Sequence, residues 1–363
     1  MECDNRMTAL HPSIARRVER YHRLYESRRP GDLMIVIRPR WVTKKNLFEY
    51  DFDRGGHLEM AADMLRSSRA MLDEAGDRDD DLIPWLIADF GIAIHHTFLM
   101  DMPVTFAEWT SWADHPLAGE NGYARLDEIH YNPRNKWVVR IKEMLQYWKQ
   151  HNDGACLMNT HLHYGPLDLA NALRGNDLFM DFYDHPQELS RLLDVCVDTI
   201  IQMELEMREV CADQIEQIGM PFWGALAPRG ALYVSEDVMD MSGPAISQEW
   251  GVPWTSRIRE RFGTIAVHHH MLGRKVHGTL GQMVRRSVLQ VTNDPNCPPA
   301  MQSARELYEE SGDNVLMLDC SPEEVLASLD ELRRVRAILI CGTGEAEKAR
   351  AVVDAVRSIS NIQ

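Results

Sequence analysis

The last hundred residues alternate short apolar runs with helical patterns at a repeat of about 25 residues, and this rhythm limits the fold more than any other feature. Apolar runs begin at Thr264 (TIAV), Ser287 (SVLQV), Asn314 (NVLML) and Ala337 (AILI). Between them lie KVHGTLGQMVRR, PAMQSARELYEES and SPEEVLASLDELRR, and EAEKARAVVDAVRS follows the last run. Each gap is long enough for a helical crossover between parallel strands. Upstream, LMIVI (Leu33 to Ile37) is a buried-strand pattern, and HLEMAADMLRSSRAMLDEAG and PRNKWVVRIKEMLQYWKQ are helical. The clearest helix runs from Asp184 to Ala212, with Asp184 as its expected cap and Pro186 in its first turn. The expected fold is α/β, a (β/α)8 TIM-type barrel: residues 1–30 form a helical N-terminal extension and residues 31–363 a single barrel domain. A doubly wound sheet is the alternative, weakened because no G-x-G-x-x-G follows the first strand.

A formal net charge of -16 argues against a nucleic-acid surface, since phosphate binding needs a basic face. No apolar run reaches the length of a membrane helix, and the N-terminus lacks the apolar core of a secretory signal. Seven scattered cysteines without a C-x-x-C pair suit free thiols in a reducing, cytoplasmic setting.

The stretch VHHHMLG follows the TIAV strand, at the end where barrel enzymes keep their chemistry. Side chains alternate along a strand, so His268 and His270 share one face and His269 takes the other. A pair of imidazoles on one face is half of a zinc site; the bland alternative is one hydrogen-bonded core histidine and solvated neighbours. His277, about two helical turns on, is expected on a helix surface. His161 and His163 alternate in the same way in NTHLHYG and, with Tyr164, would bind or protonate a substrate, or else cap a loop. Asp168 would cap the next helix. Glu236 and Asp237, adjacent carboxylates after the strand pattern GALYV, would orient a metal, a histidine or a proton. Asn293 and Asp294 sit on a loop after a barrel strand, within reach of a cleft. Trp109 and Trp112 could line a pocket for a large flat ligand.

Several segments, in order across residues 82–357, together resemble the uroporphyrinogen decarboxylase superfamily, whose relatives include corrinoid-linked, zinc-dependent methyltransferases. They are LIPWLIADFG, HYGPLDLANALRGNDLFMDFYDHPQELSRLLDVCVDTII, SEDVMDMSGPAISQEWGVPW, VHHHMLG and AILICGTGEAEKARAVVDAVR. The resemblance implies a barrel with a cleft at its C-terminal face, often dimeric. In the decarboxylases two arginines of an N-terminal motif bind substrate carboxylates; Arg38 and Arg40 of RPRW stand there without the motif's glycine, and Asp89 matches the essential aspartate. Arg174 resembles a family position that would pair an anionic group. The decarboxylase G-H-G histidine is replaced by Thr343.

In the methyltransferases, H-x-C-G and a later cysteine hold zinc. Aligned on Gly273, His270 is kept, Leu272 replaces the first cysteine and Thr343 the second, while Cys341 lies two residues earlier. His268, His270 and Cys341 are therefore the expected zinc ligands. The implied activity is methyl transfer involving a corrinoid or a methylated small molecule, with a corrinoid protein as partner. The alternatives are decarboxylation of a porphyrinogen-like or smaller carboxylate, and a non-catalytic barrel that only binds.

Overall fold

The computed structural model describes residues 9–38, 45–161 and 163–362. Nine short strands carry the sheet structure discussed below: β1 (Leu33–Ile37), β2 (Trp85–Leu86), β3 (Leu157–Met158), β4 (His163–Tyr164), β5 (Leu232–Ser235), β6 (Ile265–His270), β7 (Val288–Thr292), β8 (Val315–Cys320) and β9 (Ala337–Cys341). The four runs that set the repeat are β6 to β9, and LMIVI is β1. Seven strands form one parallel sheet in the order β1-β9-β8-β7-β6-β5-β4, and β2 pairs parallel with β3. The Asp81 N–H donates to the Ile35 carbonyl at 2.7 Å, so the segment entering β2 borders β1. This parallel α/β arrangement is compatible with a barrel.

Side-chain parity divides the core. Val36 of β1, Ala266 of β6, Met317 of β8 and Ile340 of β9 belong to one apolar cluster drawn from opposite parts of the sheet. Ile35, Leu318, Leu339 and Cys341 pack instead with residues of the helices Pro322–Ala327 and Ala346–Ile359. Adjacent residues on one strand thus serve the inner and outer layers, as the two-residue period requires.

The helix Pro12–Ser27 is tied to the sheet by charge as well as by apolar contact. Arg17 donates to Asp80 at 3.1 Å and Arg20 pairs with Asp81 at 2.8 Å, while Asp81 also accepts the Ile35 N–H at 2.8 Å. The expected helix from Asp184 begins later and extends further, over Pro186–Gln217; His185 occupies the cap position, and Asp184 ends the preceding helix, Leu178–Asp184. Among the described residues, no helix is long and apolar enough to cross a membrane.

Candidate metal centre and cleft

Strand β6 ends in the histidine triplet, and its parity is the expected one. His268 and His270 follow Ala266 on the inner face, with their Nε2 atoms 3.1 Å apart. The Oδ1 of Asp237, which opens the short helix Asp237–Met241 after β5, lies 3.8 Å from the first Nε2 and 3.7 Å from the second. Each imidazole is oriented from behind. His270 Nδ1 is 2.9 Å from Asp294 Oδ1, and His268 Nδ1 is 3.1 Å from Gln290 Oε1. A carboxylate and an amide oxygen accept, so both Nδ1 atoms donate, and in the neutral tautomer each Nε2 would present a lone pair. Ser235 donates to Asp237 Oδ1 at 2.8 Å and fixes that oxygen.

Two imidazole nitrogens and a carboxylate oxygen converge there, a donor set that suits a cation. Ligands on a tetrahedral zinc with bonds of roughly 2.0–2.1 Å stand about 3.3 Å apart, close to the separations found. Orientation of each ligating histidine through its other ring nitrogen is the usual support for such a centre. Among the described residues, Asp237, His268 and His270 are the group of three metal-ligating side chains close enough to share an ion.

The structure does not bring Cys341 to this group. Cys341 ends β9 on the outer face and lies buried beside Cys320. The carboxylate of Asp237 stands where a thiolate was expected.

His269 points to the opposite layer and is fully buried. Its Nδ1 is 3.1 Å from Asp240 Oδ1 and its Nε2 is 2.8 Å from His277 Nδ1. His277 is a core residue, contrary to the surface position expected, because its Nε2 lies 2.9 Å from the Leu307 carbonyl and 2.9 Å from Ser311 Oγ. A carbonyl only accepts, so His277 donates there and accepts from His269. The remaining lone pair of His269 Nδ1 faces Asp240, which must then donate. Burial pushes the Asp240 carboxyl up to about 8, consistent with a protonated acid at neutral pH. Its other oxygen accepts the backbone N–H of His270, which locks the end of β6.

Beside the three converging groups lies a cavity of about 270 Å³, lined by Asp89, His161, His163, Tyr164, Trp223 and His268 among others. A second lobe of about 290 Å³ shares Ile92, Tyr164 and Asp237 with it and reaches Trp112 and Asp168. Asp89 accepts the Gly91 N–H at 3.0 Å. Tyr164 stacks on His95 with ring centroids 4.1 Å apart, and His95 meets His161 at 3.4 Å. Burial lowers His95 to about 3 and holds His161 well below the usual range, so both rings are neutral. His163 Nε2 is 3.0 Å from Glu204 Oε2, and Arg208 and Thr160 also donate to that carboxylate at 2.6 Å each. Burial pushes Glu204 upward, but these partners outweigh it and leave its carboxyl below the ordinary value.

Other expected site residues serve structure. Glu236 is fully buried behind the cleft, accepts from Thr255 at 2.5 Å and is pushed up by burial to about 8. Asp168 caps the helix Asp237–Met241, accepting from the N–H groups of Asp237 at 3.1 Å and Val238 at 2.8 Å, and so positions Asp237. Arg174 is buried and bidentate to Asp181 at 2.7 and 3.1 Å, which leaves it no anion to bind. Asn293 shapes its loop by accepting from Ala300 at 2.8 Å, and Asp294 orients His270. Arg38 pairs with Asp319 at the strand ends and is not among the lining of either lobe. Arg40 lies outside the described residues. The residues that the sequence did not single out, Asp240, Gln290, His95 and Glu204, act only through partners distant in the chain.

Fold and site together define an α/β protein with parallel strands whose C-terminal ends hold two imidazoles and a carboxylate beside an aromatic cleft. A methyltransferase from Methanosarcina mazei has a similar fold, with a TM-score of 0.63 over 94% of this chain and 98% of that chain, at 12% sequence identity. The sequence matches no protein-family model and no curated protein.

Proposed function

We propose that the chain is a (β/α)8-barrel methyltransferase of the uroporphyrinogen decarboxylase superfamily, with a zinc ion held by Asp237, His268 and His270. The observation that carries this reading is the convergence of the Nε2 atoms of His268 and His270 with the Asp237 Oδ1, each braced from behind. The similar fold of a methyltransferase supports the reaction class. Three protein ligands leave the fourth position of a tetrahedral ion for a substrate atom, as in catalytic zinc sites. Bound there, zinc would act as a Lewis acid that favours the deprotonated form of a thiol acceptor.

The protein's own groups do the rest. Asp294 and Gln290 keep both Nε2 lone pairs aimed at one point. His163, held by Glu204, and Tyr164 border the reacting volume, where an imidazole can take the proton an acceptor releases. Exposed Ile92, Trp109, Trp112 and Met241 edge the two lobes and form an apolar rim on which a corrinoid protein delivering or accepting the methyl group would dock.

Metal analysis tests the proposal. Protein purified without chelator and titrated with zinc is expected to take up about one ion per chain. His268→Ala and Asp237→Asn should each weaken binding at least tenfold, while Cys341→Ser leaves it unchanged. Protein that ignores added zinc, or loses it on replacement of Cys341, overturns the assignment.

A further inference from the structure

Glu236 directly precedes the candidate ligand Asp237, yet it lies behind the cleft, where a carboxyl is costly to keep. Its side chain is fully buried, Oε1 accepts from Thr255 Oγ1 at 2.5 Å, and Oε2 is buried without a hydrogen-bond partner. A buried carboxyl oxygen left unpaired is uncommon in folded proteins and asks for a reason. Packing alone does not supply one, since an apolar side chain could fill the space and leave no polar atom unsatisfied.

Three elements meet at Glu236. Its backbone N–H donates to the His268 carbonyl at 3.0 Å, which ties the turn to the end of β6. Its carboxyl is pressed against Gly165, where an added Cβ would stand 2.5 Å from Cδ and 2.6 Å from Oε1. Gly165 opens the helix Pro166–Arg174, whose Asp168 caps the helix of Asp237. Thr255 comes from the third element, the helix Val252–Phe262. That helix follows a π-helical turn, Ser247–Gly251, a rare form often found at functional sites. The π turn grips the ligand helix at a second point. Ser247 donates to the Met239 carbonyl at 3.3 Å, and a Cβ on Gly251 would stand 2.5 Å from Met239 Sδ. Residues on either side of Asp237 are thus held from the outer layer. A side chain as short as aspartate aims where its backbone points, so fixing the turn fixes the carboxylate.

We propose that Glu236 is a positioning residue for the metal ligand: locked between Gly165 and the Thr255 hydroxyl, it fixes the turn after β5 and with it the direction of the Asp237 carboxylate. The proposal rests on the metal-centre reading above and adds to it a bond, from Thr255 to Glu236, remote from the ligating atoms.

The test reads metal binding rather than turnover. On the full chain, at a temperature where every variant is folded, zinc affinity is measured by competition with a chelating indicator. The visible bands of the cobalt(II)-loaded protein report the arrangement of the ligands. Thr255→Val keeps the shape of the side chain and removes its hydroxyl, so zinc affinity is expected to fall roughly 10- to 100-fold and the cobalt bands to change. Thr255→Ser restores the donor and should stay within a few-fold of the parent. Glu236→Ala should weaken zinc to a similar extent, and adding Thr255→Val to it should cost little more, because both changes remove one bond. Asp80→Ala removes a buried ion pair elsewhere, controls for a general loss of stability, and should bind zinc as the parent does. Parental zinc affinity and cobalt bands in Thr255→Val or Glu236→Ala, or a matching loss in Asp80→Ala, overturns the positioning role alone. A parent that takes up neither metal overturns the metal centre, and the positioning role with it.

Discussion

Gly273 shows how closely single atoms are placed around the candidate centre. A Cβ added there would stand 1.6 Å from Asp240 Oδ1 and 2.2 Å from its Cγ. Its φ of -88° is ordinary, so close approach rather than backbone freedom requires the glycine. Gly273→Ala must displace Asp240, which accepts the His270 N–H and faces His269. Zinc affinity is expected to fall roughly 10- to 100-fold, the usual effect of disturbing groups behind metal ligands, and a zinc titration of the folded variant checks it. Strand alternation made the split of His268 and His270 from His269 legible in the sequence. The same rule misplaced Cys341, because parity pairs residues on a strand without saying which face is inner. Ile338 and Ile340 take the inner face of β9, and Cys341 is left with the outer layer. Asp237 was visible as one of two adjacent acids, but only the turn after β5 aims it inward and sends Glu236 behind.

At the scale of elements, the helix Pro12–Ser27 depends on ion pairs with the segment that enters β2. Asp80 is fully buried and pairs with Arg17 at 3.1 Å and Arg78 at 2.7 Å, both largely buried themselves. Removing the carboxylate leaves cations without compensation in a poorly solvated place. Asp80→Ala is expected to lower stability by about 3–5 kcal/mol, read from urea unfolding. Replacing the exposed partner of a surface pair, as in Arg191→Ala opposite Asp127, should cost less than about 1 kcal/mol. The acidic run Asp79 to Asp81 was the least legible part of the chain, since its partners lie about sixty residues away. By contrast, β6 to β9 and the helices between them followed from local apolar spacing alone. His277 was misassigned because a polar residue in a short helix reads as surface, whereas an imidazole chain to Asp240 satisfies it inside.

The whole molecule carries a set of neutral, buried histidines that ties its stability to pH. Burial lowers His95 to about 3 and His96 to about 4, against an ordinary value of 6.5, and His161 shifts the same way. Between these values the unfolded chain binds more protons than the folded one, so stability rises with pH there and falls on acidification. The loss begins near pH 6.5 and continues to about pH 4, at up to about 1.4 kcal/mol per pH unit for each group. The buried acids Glu236 and Asp240, pushed up to about 8, act in the opposite sense over this window, so the histidine contribution is read as a difference: between pH 7.5 and 4.5, His96→Asn should lose less melting temperature on acidification than the parent. An equal pH dependence of the two proteins would contradict the account. The alternation of strand and helix made the parallel α/β architecture legible. The cleft was less so, because its walls come from a hairpin, a short helix and the ends of separate strands.

The central claim is that His268, His270 and Asp237 hold a metal ion. Anomalous diffraction at the zinc edge, from crystals grown with zinc, tests it most directly. The account predicts one strong peak within bonding distance, roughly 2.0–2.2 Å, of His268 Nε2, His270 Nε2 and an Asp237 oxygen. A cleft without a peak, or zinc bound at Cys341, would contradict it.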